Sequence, residues 1–359
     1  MQKKEILLIT KTGKNFGAVL QAYALVYLFK RKNFLIKILN HPSKIISEQF
    51  TIYRHIHSVR DLIYNLLIYN HNKSIIKAIN RFQEFRNKYF HFTEPYETDQ
   101  DVINNPPNAD LYVVGSDQVW NPNIRFSPIN FLQFGNNQIH RYSYSASIGI
   151  DNIPVCLKDK FKKYLSNFNG ISVRESSAVE MLNKININSI NTVDPTLLLS
   201  ESEWEIIAND NNNDEKYILV YTLYNLKILK NSALKLKKIT GYKIKFIATS
   251  VRLKSFGDEI IWDAGPREFV SLIKNASYIV TSSYHGMLFS INFKKPFFVI
   301  LPESTQRRFL DFLRNIDMDN RIIKNINDIE KIYDKDILKS NTRLEKLINF
   351  SKKYLNNIL

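Results

Sequence analysis

Apolar positions along this chain fall into two alternating periods. The run EILLIT (5–10) is unbroken and of strand length. AVLQAYALVYLFKRK (18–32) instead repeats apolar residues at helical spacing and ends in basic residues, the sign favoured at a helix C-terminus. The loop KTGKNFG joins them, and FLIKILN (34–40) supplies the next strand, so the chain opens as a parallel βαβ unit. Strand-like runs return at LYVVG (111–115), RYSYSASIG (141–149) and GISVRE (170–175), the last followed by the helical SSAVEMLN, and TVDPTLLL (192–199) closes the first half. The second half repeats the alternation with YILVYTLY, a Lys-rich helix, YKIKFIAT and a helix opened by GPREFVSLIKNA. YIVTSS, a helix from about Tyr284, PFFVIL, the helical RRFLDFLRNI and a long helix over the last 25 residues complete it. No internal sequence repeat is visible. The pattern predicts an α/β protein of two Rossmann-like lobes with a C-terminal helix that crosses back.

Residues 52–90 break the alternation. This stretch is helical, aromatic and basic, with seven Lys/Arg against two acids. It reads as an inserted helical pair with a solvated face, or as a surface helix lying against a membrane or a lipid-linked substrate. The Asn-rich, acidic stretch after ESEWEIIAND has the most linker-like composition in the chain. The expected division is therefore 1–212, with the insertion at about 52–92, then 213–335, then a C-terminal helix over 336–359.

Composition narrows the function classes. Of 359 residues, 44% are hydrophobic, enough for packed domains. The 50 Lys/Arg outnumber 34 Asp/Glu, a net charge of +16, but the lysines are dispersed and no zinc-finger, RNP or helix-turn-helix signature accompanies them, so no nucleic-acid partner is expected. An anionic substrate or lipid surface stays open. The single Cys156 excludes a disulfide framework and a Cys-based metal site, suits a reducing cytosol, and is expected to be partly buried and inert. MQKKEILLIT runs directly into a strand and no apolar run reaches membrane-spanning length, so a cytoplasmic protein is expected, at most held at the inner face of the membrane.

In open α/β sheets ligands sit beyond the carboxyl ends of strands, which singles out four loops. In KTGKNFGAVLQ, Gly13 and Gly17 fit neither GxGxxG nor a P-loop. Asn15 and Gln21 there offer amides to an acceptor or to a domain interface, unless the loop is only a tight packing turn. In VVGSDQVWNP, Asp117 is a candidate general base with an apolar ring nearby to raise its pKa, or else an N-cap or Asx turn; Trp120 is a candidate sugar-stacking platform. In SVRESS, Arg174 ends an apolar strand, where it pairs with Glu175 or another acid, or binds a carboxylate or phosphate. In YIVTSSYHGMLFSINF, Ser282, Ser283 and His285 sit where a strand meets a helix whose first N–H groups are unpaired, an anion site if it is not ordinary packing. Lys294, Lys295, Arg307 and Arg308 lie in the connections that follow, within reach of the same cleft, although a solvated face is expected for most of them. The acid pairs DQD (99–101) and DMD (317–319) do not follow strands and are weak as metal ligands; no metal is expected.

Taken in order, KTGKNFGAVLQAYAL, VVGSDQVWNP, YSYSASIG, ISVRESS, VDPTLLL and GPREFVSLIKNASYIVTSSYHGMLFSINFKKPF resemble the polysaccharide pyruvyl transferase family over roughly residues 8 to 300. The resemblance implies two Rossmann-like domains in a glycosyltransferase-B-like arrangement with the site between them. It implies transfer of a pyruvyl group from phosphoenolpyruvate, without a cofactor, onto sugar hydroxyls as a cyclic ketal, with a free or lipid-linked sugar acceptor. His285 and Asp117 are then the catalytic pair. Arg174, Ser282, Ser283, Gly286, Arg267 and Lys295 hold the donor, and Asn15, Gly17, Gln21, Ser116, Trp120 and Asn121 face the acceptor. One position departs from the pattern. Many members read S-R-x-H-G, and here Ser283 stands in place of the arginine, leaving Arg174 or Arg267 to supply the charge. The runner-up is a glycosyltransferase using a nucleotide-sugar donor on the same scaffold.

Overall fold

The computed structural model describes residues 3–53, 58–209, 215–303, 306–333 and 341–358. The first half runs β1 (Glu5–Ile9), α1 (Phe16–Arg31), β2 (Leu35–Ile38), α2 (Ser43–Glu48), α3 (Val59–Tyr69), α4 (Asn72–Tyr89), α5 (Asp99–Asn104) and β3 (Leu111–Val114). It continues with β4 (His140–Ser143), α6 (Lys158–Leu165), β5 (Ser172–Val173), α7 (Ser176–Asn183), β6 (Ile190–Asn191) and α8 (Glu201–Glu205). The second half runs β7 (Tyr217–Tyr221), α9 (Lys227–Thr240), β8 (Lys243–Ile247), β9 (Glu259–Ile261), α10 (Pro266–Asn275) and β10 (Tyr278–Thr281). It ends with α11 (Tyr284–Asn292), β11 (Phe297–Val299), α12 (Gln306–Asn315), α13 (Asp328–Ile332) and α14 (Thr342–Ile358). The expected boundary near residue 212, the onset of the C-terminal helix at 336 and part of the insertion (54–57) lie outside the described residues.

Both sheets are parallel. The first has the order β2-β1-β3-β4, and isolated bridges from Tyr142 to Gly170 and from Ala146 to Val173 hand it on to the β5–β6 pair. The second has the order β11-β10-β7-β8-β9. Parallel pairing demands crossover helices on the faces, which is why LYVV and YILVY are buried at every position. In each sheet the chain reverses its direction of growth once, between β1 and β3 and between β7 and β10. Those two switch points are where such sheets open a crevice at their carboxyl ends.

Helix α1 lies between the sheets. Its Phe16 ring stacks on Phe269 of α10 at 4.6 Å and meets Tyr221 of β7 edge-on at 5.6 Å, within an apolar cluster that both halves share. Each such ring pair adds roughly 0.5–1.5 kcal/mol beyond its buried area. From the insertion, Phe82 and Phe85 of α4 join the same cluster, and Arg81 donates to the carbonyl of Asp263 at 2.6 Å. Helix α14 packs on the first half: Ser351 accepts from the Val193 amide at 2.9 Å, and the Tyr354 hydroxyl donates to the Ser143 carbonyl at 3.1 Å. Among the described residues no helix is long and apolar enough to cross a membrane.

Two local expectations need correcting. RYSYSASIG is a regular strand only to Ser143, because Ser145 turns to a positive φ of 49°: its amide donates to the Ser172 hydroxyl at 2.8 Å, and backbone pairing resumes at Ala146, whose amide donates to the Ser172 carbonyl at 3.1 Å. Cys156 is exposed in a short turn at 155–157 rather than packed.

Candidate functional site

The switch-point loops of the two sheets face a common open cleft of about 930 Å³. Lys11 and Asn15 after β1, Asp117 after β3, Leu223 after β7, and Ser283, Tyr284 and His285 after β10 all line it, and α12 contributes Arg308. His285 is the second residue of α11. Gly17, near the start of α1, lies directly against its ring: a Cβ there would stand 2.0 Å from His285 Nδ1. The imidazole therefore fits only because α1 carries glycine at that point, and the two helix starts lock together across the halves.

Asp194 completes the inner layer. It precedes Pro195 and caps a short turn, its Oδ1 accepting from the Thr196 amide at 3.0 Å and the Thr196 hydroxyl at 2.8 Å. That fixes Oδ2, which accepts from Arg174 Nη1 at 3.0 Å and lies 3.4 Å from His285 Nε2. The second contact is ion-pair distance without hydrogen-bond alignment, and His285 Nε2 has no hydrogen-bond partner. Burial opposes ionisation of Asp194, yet the imidazole and the Arg174 guanidinium hold its carboxyl well below the usual range.

Arg174 is buried beneath the cleft and surrounded by acids. Besides Asp194 it lies 3.5 Å from Glu175 Oε1 and 3.7 Å from Asp117 Oδ1. Burial alone would lower its pKa, but these carboxylates and Tyr284 drive it well above the ordinary value. Its Nη2 still lacks a hydrogen-bond partner. Arg308 is less compensated. Its Nε is buried without a partner, and burial together with the nearby Arg174 holds its pKa below the ordinary value. Both guanidinium groups lie over the ring of Tyr284, at 4.6 Å for Arg174 and 5.4 Å for Arg308. Lys11 is lowered too, by burial, with Asp117 opposing the shift. Among the described residues neither Lys11 nor Arg308 has a carboxylate within ion-pairing distance. Buried cations with spare donors around one cleft make an anion site.

Residues 15–304 match the model of a family described as polysaccharide pyruvyl transferase. The chain belongs to the polysaccharide pyruvyl transferase family. Lys11 and Arg308 stand outside the matched span, whereas Asn15, Asp117, Arg174, Asp194 and His285 stand within it. Solved structures of similar fold include the UDP-GlcNAc 2-epimerase of Methanocaldococcus jannaschii, with a TM-score of 0.53 and 15% identity over 98% of this chain and 100% of that one. UDP-N-acetylglucosamine 2-epimerase of Rickettsia bellii has a TM-score of 0.51 and 14% identity over 99% and 96% of the two chains. The Neisseria meningitidis enzyme, solved bound to UDP-GlcNAc, has a TM-score of 0.51 and 12% identity over 99% and 100%. At such identities the likeness establishes the fold, which is α/β with two Rossmann-like domains in a glycosyltransferase-B-like arrangement. No curated protein matches the sequence significantly.

For this pyruvyl transferase family member, several residues expected at the site sit elsewhere. Trp120 is fully buried, stacked on Phe131 at 5.6 Å with its Nε1 donating to the Asn130 carbonyl, so its face is not open to a sugar. Gln21 and Ser116 are buried struts: the Gln21 amide donates to Thr10 and Lys11 and its Oε1 accepts from the Ser116 amide, while the Ser116 hydroxyl lies 3.1 Å from the Ser145 carbonyl and 3.3 Å from Asp194 Oδ2, so that Ser116 braces the inner carboxylate of the site instead of facing an acceptor. Asn121 bonds Gln118 and Asn123 within its own loop. Arg267 is remote from the cleft, its Nε donating to the Ile207 carbonyl at 2.9 Å. Lys295 is also remote; burial lowers its pKa and its charged neighbours are Glu201 and Lys274. Ser282 is buried against Thr222, and the Gly286 amide is taken by the Ser283 hydroxyl at 3.2 Å, leaving Tyr284 and His285 to present the open amides of the first helical turn.

Asp117 reaches the cleft, but its pKa shifts opposite to expectation. Burial would raise it, and Arg174, Lys11 and His285 together bring it below the usual carboxylate value. Asn15 lines the cleft while its Oδ1 caps α1 through the Ala18 amide. In the DQD pair, Asp99 is engaged by Ser127 at 2.7 Å and His41 at 2.8 Å, and Asp101 closes a capping box with Thr98. In DMD, Asp317 pairs with Arg343 at 2.8 Å. Residues that sequence reasoning passed over are Asp194, whose Asp-Pro signature reads as a turn cap, and Lys11; Arg308 is the one of the four cations set within reach of the cleft that lines it.

Proposed function

We propose that the chain transfers a pyruvyl group from phosphoenolpyruvate to two hydroxyls of a sugar in a surface polysaccharide, forming a cyclic ketal. The observation that carries this is a set of buried nitrogens without a hydrogen-bond partner at one cleft: Arg308 Nε and His285 Nε2 on residues that line it, and Arg174 Nη2 directly beneath it, the last two at ion-pair distance from Asp194 and Asp117 respectively. Phosphoenolpyruvate brings a carboxylate and a phosphate to be matched, and Arg308, Arg174, Lys11 and the first-turn amides of α11 suit them. His285 gives a proton to the methylene carbon, which becomes a methyl group and leaves an oxocarbenium-like centre. One sugar hydroxyl attacks that carbon and loses its proton, inorganic phosphate departs, and the second hydroxyl closes the ring and loses its own. Asp194, 3.4 Å from Nε2, stabilises the charged form of the imidazole electrostatically. Asp117, ionised at neutral pH, accepts a hydrogen bond from the attacking hydroxyl. Phosphoenolpyruvate is a cytoplasmic metabolite, so the reaction belongs to the cytoplasm.

Arg308 answers the departure at Ser283. The serine hydroxyl caps α11, and the positive charge that the family motif places at this position comes instead from α12. Arg308→Met is expected to raise the KM for phosphoenolpyruvate about 10- to 100-fold, the worth of one or two charge-assisted hydrogen bonds. Its melting temperature should hold or rise, because the uncompensated buried cation is gone. Initial-rate kinetics with a thermal melt checks both halves.

Gly17→Ala is expected to cost about a hundredfold in turnover, since the added methyl must push the His285 ring aside. The same crowding should destabilise by roughly 1–3 kcal/mol. Wild-type turnover in this variant would show that His285 need not sit where it does.

A nucleotide-sugar transferase is the second reading. It is favoured by an aromatic-walled pocket of about 220 Å³ at the carboxyl ends of β7 and β8, lined by Tyr64, Tyr221 and Trp262 among others. Separate incubations with phosphoenolpyruvate and with nucleotide sugars, each with candidate acceptors, discriminate the two. Release of inorganic phosphate from phosphoenolpyruvate supports pyruvyl transfer, and nucleotide release without it overturns that reading.

A further inference from the structure

Helix α3 is amphipathic the wrong way round for a core helix. Val59, Leu62, Ile63, Leu66 and Leu67 follow the i, i+3, i+4, i+7, i+8 spacing of an apolar stripe, yet their exposures are 73%, 45%, 52%, 62% and 48%, with Tyr69 at 69% beside them. The inward side is occupied. Tyr64 and Ile68 wall the aromatic pocket beneath the helix, and that pocket shares Asn15 and Leu223 with the main cleft. The exposed stripe is therefore not needed for folding, and a contiguous apolar face of this kind on a charged protein marks an interaction surface.

Charge identifies the partner. Arg60 on α3 and Lys73 on the first turn of α4 are exposed, Lys77 is exposed although its ammonium pairs with Asp263 at 2.9 Å, and the Arg252 guanidinium lies over the Tyr64 ring at 5.3 Å. Across α3 and α4 the acids are Asp61 and Glu84, against six Lys/Arg, and the whole chain carries +16. An apolar stripe rimmed by cations fits the interface of an anionic bilayer, where the side chains enter the acyl boundary and the cations meet headgroups. We infer that α3 docks the protein peripherally on an anionic lipid surface, with the aromatic pocket and the cleft behind it opening toward that surface. The inference does not depend on the donor and stands whether the cleft takes phosphoenolpyruvate or a nucleotide sugar.

The test is co-sedimentation of the full chain with vesicles of phosphatidylcholine alone or mixed with phosphatidylglycerol, for the wild type and for the double variant Ile63→Asp/Leu66→Asp. The changed residues are exposed, so the variant should keep the wild-type melting temperature. The expected result is binding to anionic vesicles that falls at least tenfold in the double variant, weakens with added salt and is much poorer on neutral vesicles. Failure of the wild type to bind anionic vesicles, or equal binding by the folded variant, overturns it. A wild-type dimer that becomes a monomer in the variant also overturns it, by assigning the stripe to a second copy of the chain.

Discussion

His285→Gln is expected to lower turnover by about a hundred- to ten-thousand-fold while the protein stays folded, the range associated with removing one positioned acid–base group. Glutamine keeps a polar, similarly sized side chain facing Gly17 and Asp194, so packing and the Asp194–Arg174 contact at 3.0 Å should survive. What it cannot do is carry a proton at neutral pH. The imidazole lines the cleft with Nδ1 against the α1 backbone and a buried Nε2 that makes no hydrogen bond but lies 3.4 Å from Asp194 Oδ2, so the change removes chemistry and one ion-pair contact with little else. Denaturant titration beside single-turnover kinetics separates the two. Near-wild-type turnover in the folded variant would return His285 to a packing role.

Arg174→Met should instead act mainly on stability, at a cost of roughly 3–5 kcal/mol. The guanidinium lies within 4 Å of Asp117, Glu175 and Asp194, as contacts of 3.7, 3.5 and 3.0 Å show, and its removal strands three carboxylates in a largely buried setting. The pH dependence follows from the same pairs. Asp117 and Asp194 have folded-state pKa values below their unfolded ones, so the stability they contribute is present above the unfolded values and lost as pH falls through the folded ones. Without Arg174 those depressions shrink, and the difference between wild type and variant should narrow as the solution is acidified. Urea unfolding at neutral and acid pH reads both effects; a variant as stable as wild type at neutral pH would mean the cluster relaxes or takes up water.

Much of the fold was legible because its signals are local. EILLIT, the long helix after KTGKNFG, and YILVY are long or unbroken enough to declare their period, and the βαβ order then sets the parallel sheets. Strand β9 was missed because three residues, of which only Ile260 and Ile261 are apolar, carry no period. At the cleft, His285, Arg174 and Asp117 could be singled out because polar groups stood where apolar strands end. The direction of the Asp117 shift could not, since it depends on Arg174, Lys11 and His285, none adjacent in sequence. Trp120 shows the same limit: its face is closed by Phe131, and the sequence of the loop is equally compatible with an open ring. Arg307 and Arg308 in RRFLDFLRNI are equally within reach of the cleft as far as the sequence goes. Only the docking of α12 separates Arg307, which lies 3.6 Å from Glu180 on the surface, from Arg308 over Tyr284.

The central claim is that the spare donors of Arg308, Arg174 and His285 form the phosphoenolpyruvate site, and a crystal structure of the full chain soaked with phosphoenolpyruvate tests it most directly. The predicted result is a ligand in the cleft with anionic oxygens within hydrogen-bond distance of Arg308 Nε and Arg174 Nη2, and its methylene carbon facing His285. A ligand bound away from those three residues, or an empty cleft in crystals that take up a nucleotide sugar, would contradict it.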